Sequence, residues 1–477
     1  MSPEAVFIVI AVYFLFLILL SRLTSVKGDS AEFFTANRNS PWYLVAFGMI
    51  GASLSGVTFI SVPGWVGATQ FGYMQMVLGY MLGYAVIAQI LMPIYYKLNL
   101  TTIYSYLDTR FGFYSYKSGA GFFLLSRVIG AAFRLYLVAG VLQITLFDAW
   151  NIPFYITVAL AILLIWIYTF RGGIKTIVWT DTLQTFFMLL AVIICIYYVS
   201  SQLEIKNIIS HISEQSYSKM FIWDWNSSNN FFKQFFSGVF IAIAMTGLDQ
   251  DMMQKNLTCR NLKDAQKNIY WFSSSLVFVN LLFLGLGVLL YNYSAHFGIA
   301  IPERSDDLFP LLAVDHFPPF IAIVFILGLT AAAYSSADSA LTSLTTSFCV
   351  DFLDFNKKEN EKIKKQERLK VHIAFSVILF LVIILFRAIN DQSVISAIFK
   401  VAGYTYGPLL GLFSFGIFTK FQINDRFVPI VVLSSPVLSF LIDRGLPILF
   451  NGFTLGFSIL IVNGLLTFAG LLLLKKS

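Results

Sequence analysis

The chain has 477 residues, of which 58% are hydrophobic and only 12% are charged. A mean hydropathy of +0.77 excludes a soluble globular protein, because such a protein cannot bury that much apolar surface. The composition therefore indicates a polytopic membrane protein. The net charge of +7 would suit nucleic-acid binding, but its distribution along the chain makes it a signal of membrane topology, and we expect no nucleic-acid partner.

Apolar segments of about 20 residues, the length that crosses a bilayer as a helix, recur along the whole chain. The first is longer than the core of a signal peptide and has no cleavage motif, so we expect a retained span. The sequence predicts an all-α protein of thirteen transmembrane helices. They cover residues 4–21, 42–63, 71–96, 119–147, 152–170, 174–200, 230–250, 269–291, 318–348, 371–388, 393–419, 427–443 and 453–474.

The connections between these segments alternate in charge. Those that follow the odd-numbered segments carry most of the 32 Lys and Arg residues, and the segment "NKKENEKIKKQERLK" (356–370) is the strongest example. Connections rich in Lys and Arg remain in the cytoplasm. The pattern predicts an N-terminus outside and a cytoplasmic C-terminus in a plasma membrane, which we expect to be a bacterial inner membrane.

The stretch "AAAYSSADSALTSLTTSF" (331–348) is unusually polar for a membrane helix. Ser335, Asp338, Ser339 and Thr342 share one helical face. Such hard oxygen ligands suit an alkali cation. Small and hydroxyl side chains also let membrane helices pack closely, but packing does not account for Asp338.

Three further stretches interrupt the apolar pattern. The segment "FGMIGASLSGVTFISVPGW" (47–65) predicts a broken helix that lines a cavity, or alternatively a glycine-rich packing face. In "TFRGGIKTIVWTDTLQTFF" (169–187), Asp181 lies inside a span, either as an ion ligand or in a salt bridge with an arginine. The segment "AMTGLDQDMMQKNL" (244–257) comes five spans after the first interruption, and this spacing is typical of an inverted-repeat transporter.

The motifs "GASLSGVTFISVPG", "RGGIKTIVWTDTLQ", "GLDQ", "AAAYSSADSALTSLTTSFCVDF" and "GYTYGPLLGLF" resemble those of the sodium/solute symporter family, which includes sodium–galactose, sodium–proline and sodium–sialic acid symporters. The resemblance runs from about residue 5 to 420 and implies a LeuT-type fold within a single domain, 1–477. Two inverted five-helix repeats would cover 42–200 and 230–419. One added N-terminal helix (4–21) and two C-terminal helices (427–474) would complete it.

The resemblance also implies two cation sites. The main sodium site falls on backbone carbonyls of the broken helix and on a carbonyl and two hydroxyls of the polar helix, at Gly51, Leu54, Ala332, Ser335 and Ser336. A second sodium site, found in some members, falls on Asp181, Ser335, Asp338 and Ser339. Asp338 departs from the sialic acid branch, which has a serine there. This second carboxylate either strengthens the site, binds a proton or pairs with a nearby Lys or Arg.

The implied substrate residues resemble the sialic acid branch more than the galactose branch, because Thr58, Ala242 and Met245 replace the galactose-type glutamine, asparagine and tyrosine. Lys400 would meet a substrate carboxylate or pair with Asp338. An arginine on the third core helix would be Arg134 or Arg127. The full set is Ser53, Ser55, Thr58, Met76, Tyr80, Arg134 and Lys400.

These features together predict a symporter that couples inward sodium flow to the uptake of a small polar solute. Two cationic candidates favour an anionic solute, such as sialic acid, another sugar acid or a carboxylate. A neutral sugar or polyol is the alternative, and an uncoupled receptor or channel is a remote one. We expect no enzymatic activity, because the sequence contains no catalytic constellation, and we expect a functional monomer. The resemblance leaves open whether one or two sodium ions move per cycle.

Overall fold

The computed structural model describes residues 3–24, 30–169, 173–389, 394–450 and 452–476. The described part of the chain is helical, and its isolated β-bridges form no strand, so the predicted all-α class is confirmed. The α-helices are α1 (Pro3–Thr24), α2 (Ser30–Thr35), α3 (Trp42–Thr69), α4 (Tyr73–Val86), α5 (Met92–Lys97), α6 (Ser105–Arg110), α7 (Phe113–Leu142), α8 (Phe154–Thr169), α9 (Gly173–Gln202), α10 (Ile208–Glu214), α11 (Phe231–Ala242), α12 (Gln250–Asn256), α13 (Leu262–Phe297), α14 (Leu308–Leu311), α15 (Pro319–Ser347), α16 (Glu361–Ile389), α17 (Val394–Thr405), α18 (Gly407–Phe418), α19 (Val428–Leu449) and α20 (Ile459–Leu473).

Each of the thirteen predicted segments overlaps one or more of these helices, with residues 170 and 393 outside the described ranges, although the count of spans differs. Within the described ranges, nine helical segments are long and apolar enough to cross a membrane, or eleven if each of two bent pairs is one span. The count is lower because α3 to α5 form one continuous helical segment, and because α8 is shorter than a full span. The total of thirteen crossings stays a prediction.

Polarity decides which helices lie inside the bundle. Every residue of α15 from Gly328 to Ser347 is buried, and α3 is buried along most of its length. Outer helices instead expose large apolar side chains, for example Phe7 and Val12 of α1 and Leu381 of α16. Because hydroxyl and carboxyl groups are costly in lipid, the polar α15 is placed at the centre, and apolar helices surround it.

Three interior segments are bent or broken. A non-helical residue, Ser55, interrupts α3, and α11 and α12 meet at an angle of 69°. Helices α17 and α18 meet at 46°. The first two interruptions fall on the segments 47–65 and 244–257, where the sequence predicts them. The exact limits of the two repeats, 42–200 and 230–419, stay predictions.

Helices α4 and α11 touch through their backbones. A Cβ atom at Gly79 would lie 2.1 Å from the carbonyl oxygen of Phe235, and one at Gly238 would lie 2.1 Å from that of Met76. Neither position tolerates a side chain without moving the opposite backbone. The two glycines therefore let α4 and α11 pack more closely than any other residue would allow.

Candidate sodium and substrate site

The break in α3 creates the centre of the candidate site. Ser55 has φ 31° and ψ 173°, a conformation that non-glycine residues rarely adopt, and its Oγ accepts a hydrogen bond from Val57 N at 3.3 Å. The carbonyl of Gly51 is the acceptor that the Ser55 amide would use in a continuous helix. The carbonyl of Leu54 belongs to the peptide bond at the break. Both predicted carbonyl ligands therefore flank the interruption.

A chain of hydrogen bonds connects α3, α9 and α15. The amide of Gly51 donates to Thr185 Oγ1 at 3.0 Å, and the same hydroxyl donates to the carbonyl of Asp181 at 2.7 Å. Ser335 Oγ then donates to Asp181 Oδ1 at 2.7 Å. Gly51 permits this approach, because a Cβ there would lie 2.3 Å from Thr185 Oγ1. Thr185 is absent from the sequence-predicted set, although it stands one turn after Asp181.

The hydroxyl ligands predicted on α15 are buried beside this break. Ser336 Oγ donates to the carbonyls of Ala333 and Ala332, at 3.2 and 3.4 Å. Gly56 packs against the same turn, because a Cβ there would lie 3.4 Å from that of Ala333. Carbonyl and hydroxyl oxygens next to an unwound helix suit Na⁺. The five residues thus offer a fitting ligand set, whose role as the main sodium site stays a prediction.

At the predicted second sodium site, the structure places a residue that is not among the predicted ligands. Lys255 Nζ lies 2.7 Å from Asp181 Oδ2, and both side chains are almost completely buried. The charge pattern places Lys255 in the connection after the seventh predicted segment, and its side chain is nevertheless buried, because the bend before α12 returns this segment to the protein interior. Asp181 does form a salt bridge, but its partner is this lysine rather than an arginine.

The two remaining second-site residues lie on α15. Ser339 Oγ is 3.5 Å from Asp181 Oδ2, and Asp338 is fully buried. The predicted Lys400–Asp338 pair does not form, because Lys400 is exposed and lines a separate cavity with Asp443 and Arg444. Lys400 is the seventh of the twelve residues of α17, and it is absent from the wall of the central cavity, which Ile395, Ile398 and Phe399 of the same helix line.

A central cavity lies next to the break in α3. Most sequence-predicted substrate residues line it: Ser53, Ser55, Thr58, Tyr80, Arg127 and Arg134. Lys400 and Met76 are not in its wall. Met76 lies behind it, and its sulfur accepts a hydrogen bond from Tyr80 OH at 3.2 Å. Any effect of Met76 on a ligand in the cavity would therefore be indirect, through the position of Tyr80.

The two arginines of the cavity differ in their partners. The Arg127 guanidinium forms an ion pair with Asp251 and lies 4.0 Å from Asp249. The Arg134 guanidinium makes neither an ion pair nor a hydrogen bond with any residue that the structure describes, and its Nε is buried. The sequence alone does not distinguish them. The geometry favours Arg134 as the cation available to a ligand.

Four polar residues of the cavity wall were missing from the sequence-based set: Tyr73, Tyr84, Thr246 and Asn280. Tyr84 OH lies 3.4 Å from Thr246 Oγ1. Asn280 donates to the carbonyl of Leu276 at 2.7 Å, which leaves its buried Oδ1 without a partner among the described residues. A lone asparagine within the long apolar run of α13 was the available signal, because such a residue is costly in lipid.

Known proteins resemble the chain over almost its full length. The profile of the sodium:solute symporter family matches residues 33–425. The sodium/sialic acid symporter NanT of Aliivibrio fischeri is 24% identical over 452 residues, which cover 91% of this chain and 87% of the relative. The sodium/sialic acid symporter SiaT of Proteus mirabilis is 24% identical over 402 residues, which cover 82% and 79%.

A solved structure has the same fold. A Na⁺-coupled sialic acid symporter in a substrate-bound outward-open state superposes with a TM-score of 0.81, at 21% identity, over 99% of this chain and 98% of its own. This agreement confirms the expected architecture of a multi-pass transporter. Because the family profile spans most of the sequence, the chain belongs to the sodium:solute symporter family, and Na⁺ is its coupling ion.

Proposed function

We propose that the protein carries an anionic sugar acid, with sialic acid as the first candidate, into the cell together with Na⁺. The observation that supports this substrate class is Arg134. Both Arg134 and Arg127 line the central cavity, but only Arg127 forms an ion pair, with Asp251, among the described residues. An arginine presents a planar set of donors that fits a carboxylate in a bidentate manner. A substrate carboxylate would supply the negative charge that Arg134 lacks.

The rest of the cavity wall supports a ligand that also carries hydroxyl groups. Ser53, Thr58, Tyr80 and Tyr84 contribute hydroxyls, and Asn280 contributes an unsatisfied amide oxygen. A buried polar wall is satisfied best by a substrate with matching donors and acceptors. A simple monocarboxylate would leave most of these groups unpaired, so a polyhydroxy acid suits the cavity better.

The cation would bind at Gly51, Leu54, Ala332, Ser335 and Ser336, next to this cavity. We propose that Na⁺ binding there favours the conformation that binds substrate, because the affinities of two coupled ligands rise together. The protein would move its solute without chemical change and would work as a monomer. Its N-terminus would lie outside and its C-terminus in the cytoplasm of a bacterial inner membrane.

The test is uptake by proteoliposomes that contain the purified chain. Radiolabelled N-acetylneuraminic acid should accumulate under an inward Na⁺ gradient and not under a choline gradient. Arg134→Gln should raise the substrate concentration for half-maximal uptake by about tenfold or more, because it removes a charged hydrogen-bond donor. Arg134→Lys should recover part of the loss. Arg260→Gln, a change at an exposed arginine, is the matched control.

Two outcomes would favour the alternatives. Sodium-driven uptake of a neutral hexose that survives Arg134→Gln would replace the anionic substrate with a neutral sugar. Solute flux that is equal with Na⁺ and with choline would indicate an uncoupled pathway instead.

A further inference from the structure

Lys255 is the most deeply buried lysine that the structure describes. Its relative exposure is 1%, and its Nζ lies 2.7 Å from Asp181 Oδ2, on a side chain with 0% exposure. The lysine reaches this place because α11 and α12 meet at 69° after Gly247, and this bend turns α12 towards α9 and α15. A lysine inside a membrane bundle requires a counter-charge, and Asp181 supplies it.

The same carboxylate is the centre of the predicted second sodium site. Ser335 Oγ donates to Asp181 Oδ1 at 2.7 Å, and Ser339 Oγ lies 3.5 Å from Oδ2. The lysine Nζ shares Oδ2 with Ser339. Three of the four predicted ligands therefore meet at a carboxylate that is already paired with an ammonium group. A sodium ion on the same oxygen would lie directly beside this positive charge in a water-poor interior, where like charges repel strongly.

We propose that the Lys255 ammonium permanently replaces the second sodium ion, so that the protein binds and moves a single Na⁺ per cycle. This inference rests on the proposed function, because it takes the main sodium site as the remaining cation site. Asp181 then pairs with a cation that is part of the chain itself. This ion pair links α12 of one bent span to α9 and α15 in the absence of any bound ion.

The proposal has a consequence for each partner of the pair. Removing the lysine leaves a buried carboxylate with its two serines, which is a vacant cation site made of hard oxygens. Removing both charges leaves neither a tethered cation nor an anionic ligand for a free one. Replacing Lys255 with arginine keeps a positive charge at the same position. The number of bound sodium ions should therefore change only in the first case.

The experiment counts radioactive sodium ions bound per polypeptide on the purified full-length protein in detergent, at saturating Na⁺ and without substrate. We expect one ion in the wild type, two in Lys255→Met, and one in both Lys255→Arg and the double variant Lys255→Met/Asp181→Asn. Lys263→Met, at an exposed lysine near the start of α13, is the matched control and should bind one. Ser336→Ala should bind this single ion about tenfold more weakly, so that its occupancy falls clearly below one at a Na⁺ concentration just sufficient to saturate the wild type.

Each result bears on a different proposal. Two ions on the wild type would overturn the tethered cation while leaving the sodium-coupled function intact. One ion on folded Lys255→Met would also overturn it. No ion on folded wild type would instead contradict the main sodium site. If Lys255→Met does not fold, the proposal is still tested by the number of sodium ions bound to the wild type and to the double variant. Two bound ions on either protein would contradict it.

Discussion

Tyr406 donates a hydrogen bond of 2.5 Å to Asp249 Oδ2, and this contact joins the bend between α17 and α18 to the bend between α11 and α12. Arg127 of α7 lies 4.0 Å from the same carboxylate and forms an ion pair with Asp251. Three separate helical segments are thus linked by buried polar and charged groups. We expect this cluster to favour a conformation in which that side of the bundle is closed.

The first prediction concerns this closure. Tyr406→Phe removes one donor to a buried carboxylate and should cost about 1–3 kcal/mol of the closed conformation. We expect faster amide hydrogen exchange in α12, measured by mass spectrometry without Na⁺. Tyr404→Phe is the matched control, because Tyr404 donates at 2.8 Å to Asp443 next to the second cavity. Equal protection of α12 from hydrogen exchange in both variants and in the wild type would show that this hydrogen bond does not stabilise the closed conformation.

The second prediction concerns the main sodium site. Ser336→Ala removes one hard oxygen from the proposed ligand set and should raise the half-saturating Na⁺ concentration about tenfold, which corresponds to about 1.4 kcal/mol. The measurement is uptake as a function of Na⁺ concentration. Ser343→Ala removes a buried hydroxyl on the same helix, one that donates to Ala340 at 2.9 Å, and should leave the sodium dependence unchanged. A normal sodium dependence in Ser336→Ala would remove this residue from the site.

The third prediction concerns the contact between α3 and α9. Gly51→Ala would place a methyl group 2.3 Å from Thr185 Oγ1, so the two helices must separate. We expect a lower melting temperature and weaker Na⁺ binding, because overpacking typically costs about 1–3 kcal/mol and the Gly51 carbonyl would move. Gly121→Ala in α7 has nothing within 4 Å and should be neutral or slightly stabilising. Similar melting temperatures for both variants would mean that α3 and α9 can separate at this contact with little loss of stability.

The fourth prediction separates the two cationic candidates. Lys400→Gln should change the substrate concentration for half-maximal uptake by less than about threefold. Lys400 is exposed and lines the separate cavity with Asp443 and Arg444, away from the wall of the central cavity. Arg134→Gln should change it at least about tenfold, because it removes a charged donor. The comparison uses the same uptake assay on both variants. A larger effect at Lys400 would restore it as the main contact of the anion.

Sequence reasoning found the features that depend on local composition. The polarity of 331–348 distinguished this helix from the apolar spans, and the structure buries it; the glycines and serines of 47–65 predicted a broken helix, which the structure interrupts at Ser55. Both signals arise because lipid penalises polar groups and unsatisfied backbone. Family resemblance then placed Ser53, Thr58 and Arg134 at the same cavity.

Some contacts could not be predicted from the sequence, because they depend on how the bent segments fold back into the core. Lys255 follows a polar turn, and its position in the sequence indicates a cytoplasmic lysine. Only the 69° bend between α11 and α12 brings its side chain to Asp181. Lys400 is a mid-span lysine in the sequence and lies in the middle of α17, but its side chain is exposed and is not in the wall of the central cavity. In both cases hydropathy assigns the correct span, whereas the direction of the side chain depends on the tertiary structure.

The glycine contact between α4 and α11 fixes one dimension of the cavity. Tyr80 of α4 and Ile241 of α11 lie on adjacent walls, and the backbones beneath them already touch at Gly79 and Gly238. These two walls cannot approach each other during the transport cycle, and they would lose their tight packing if they moved apart. We therefore expect α4 and α11 to keep their spacing, so that adjustment of the cavity to the shape of a solute comes from its other walls, among them α3 and α7.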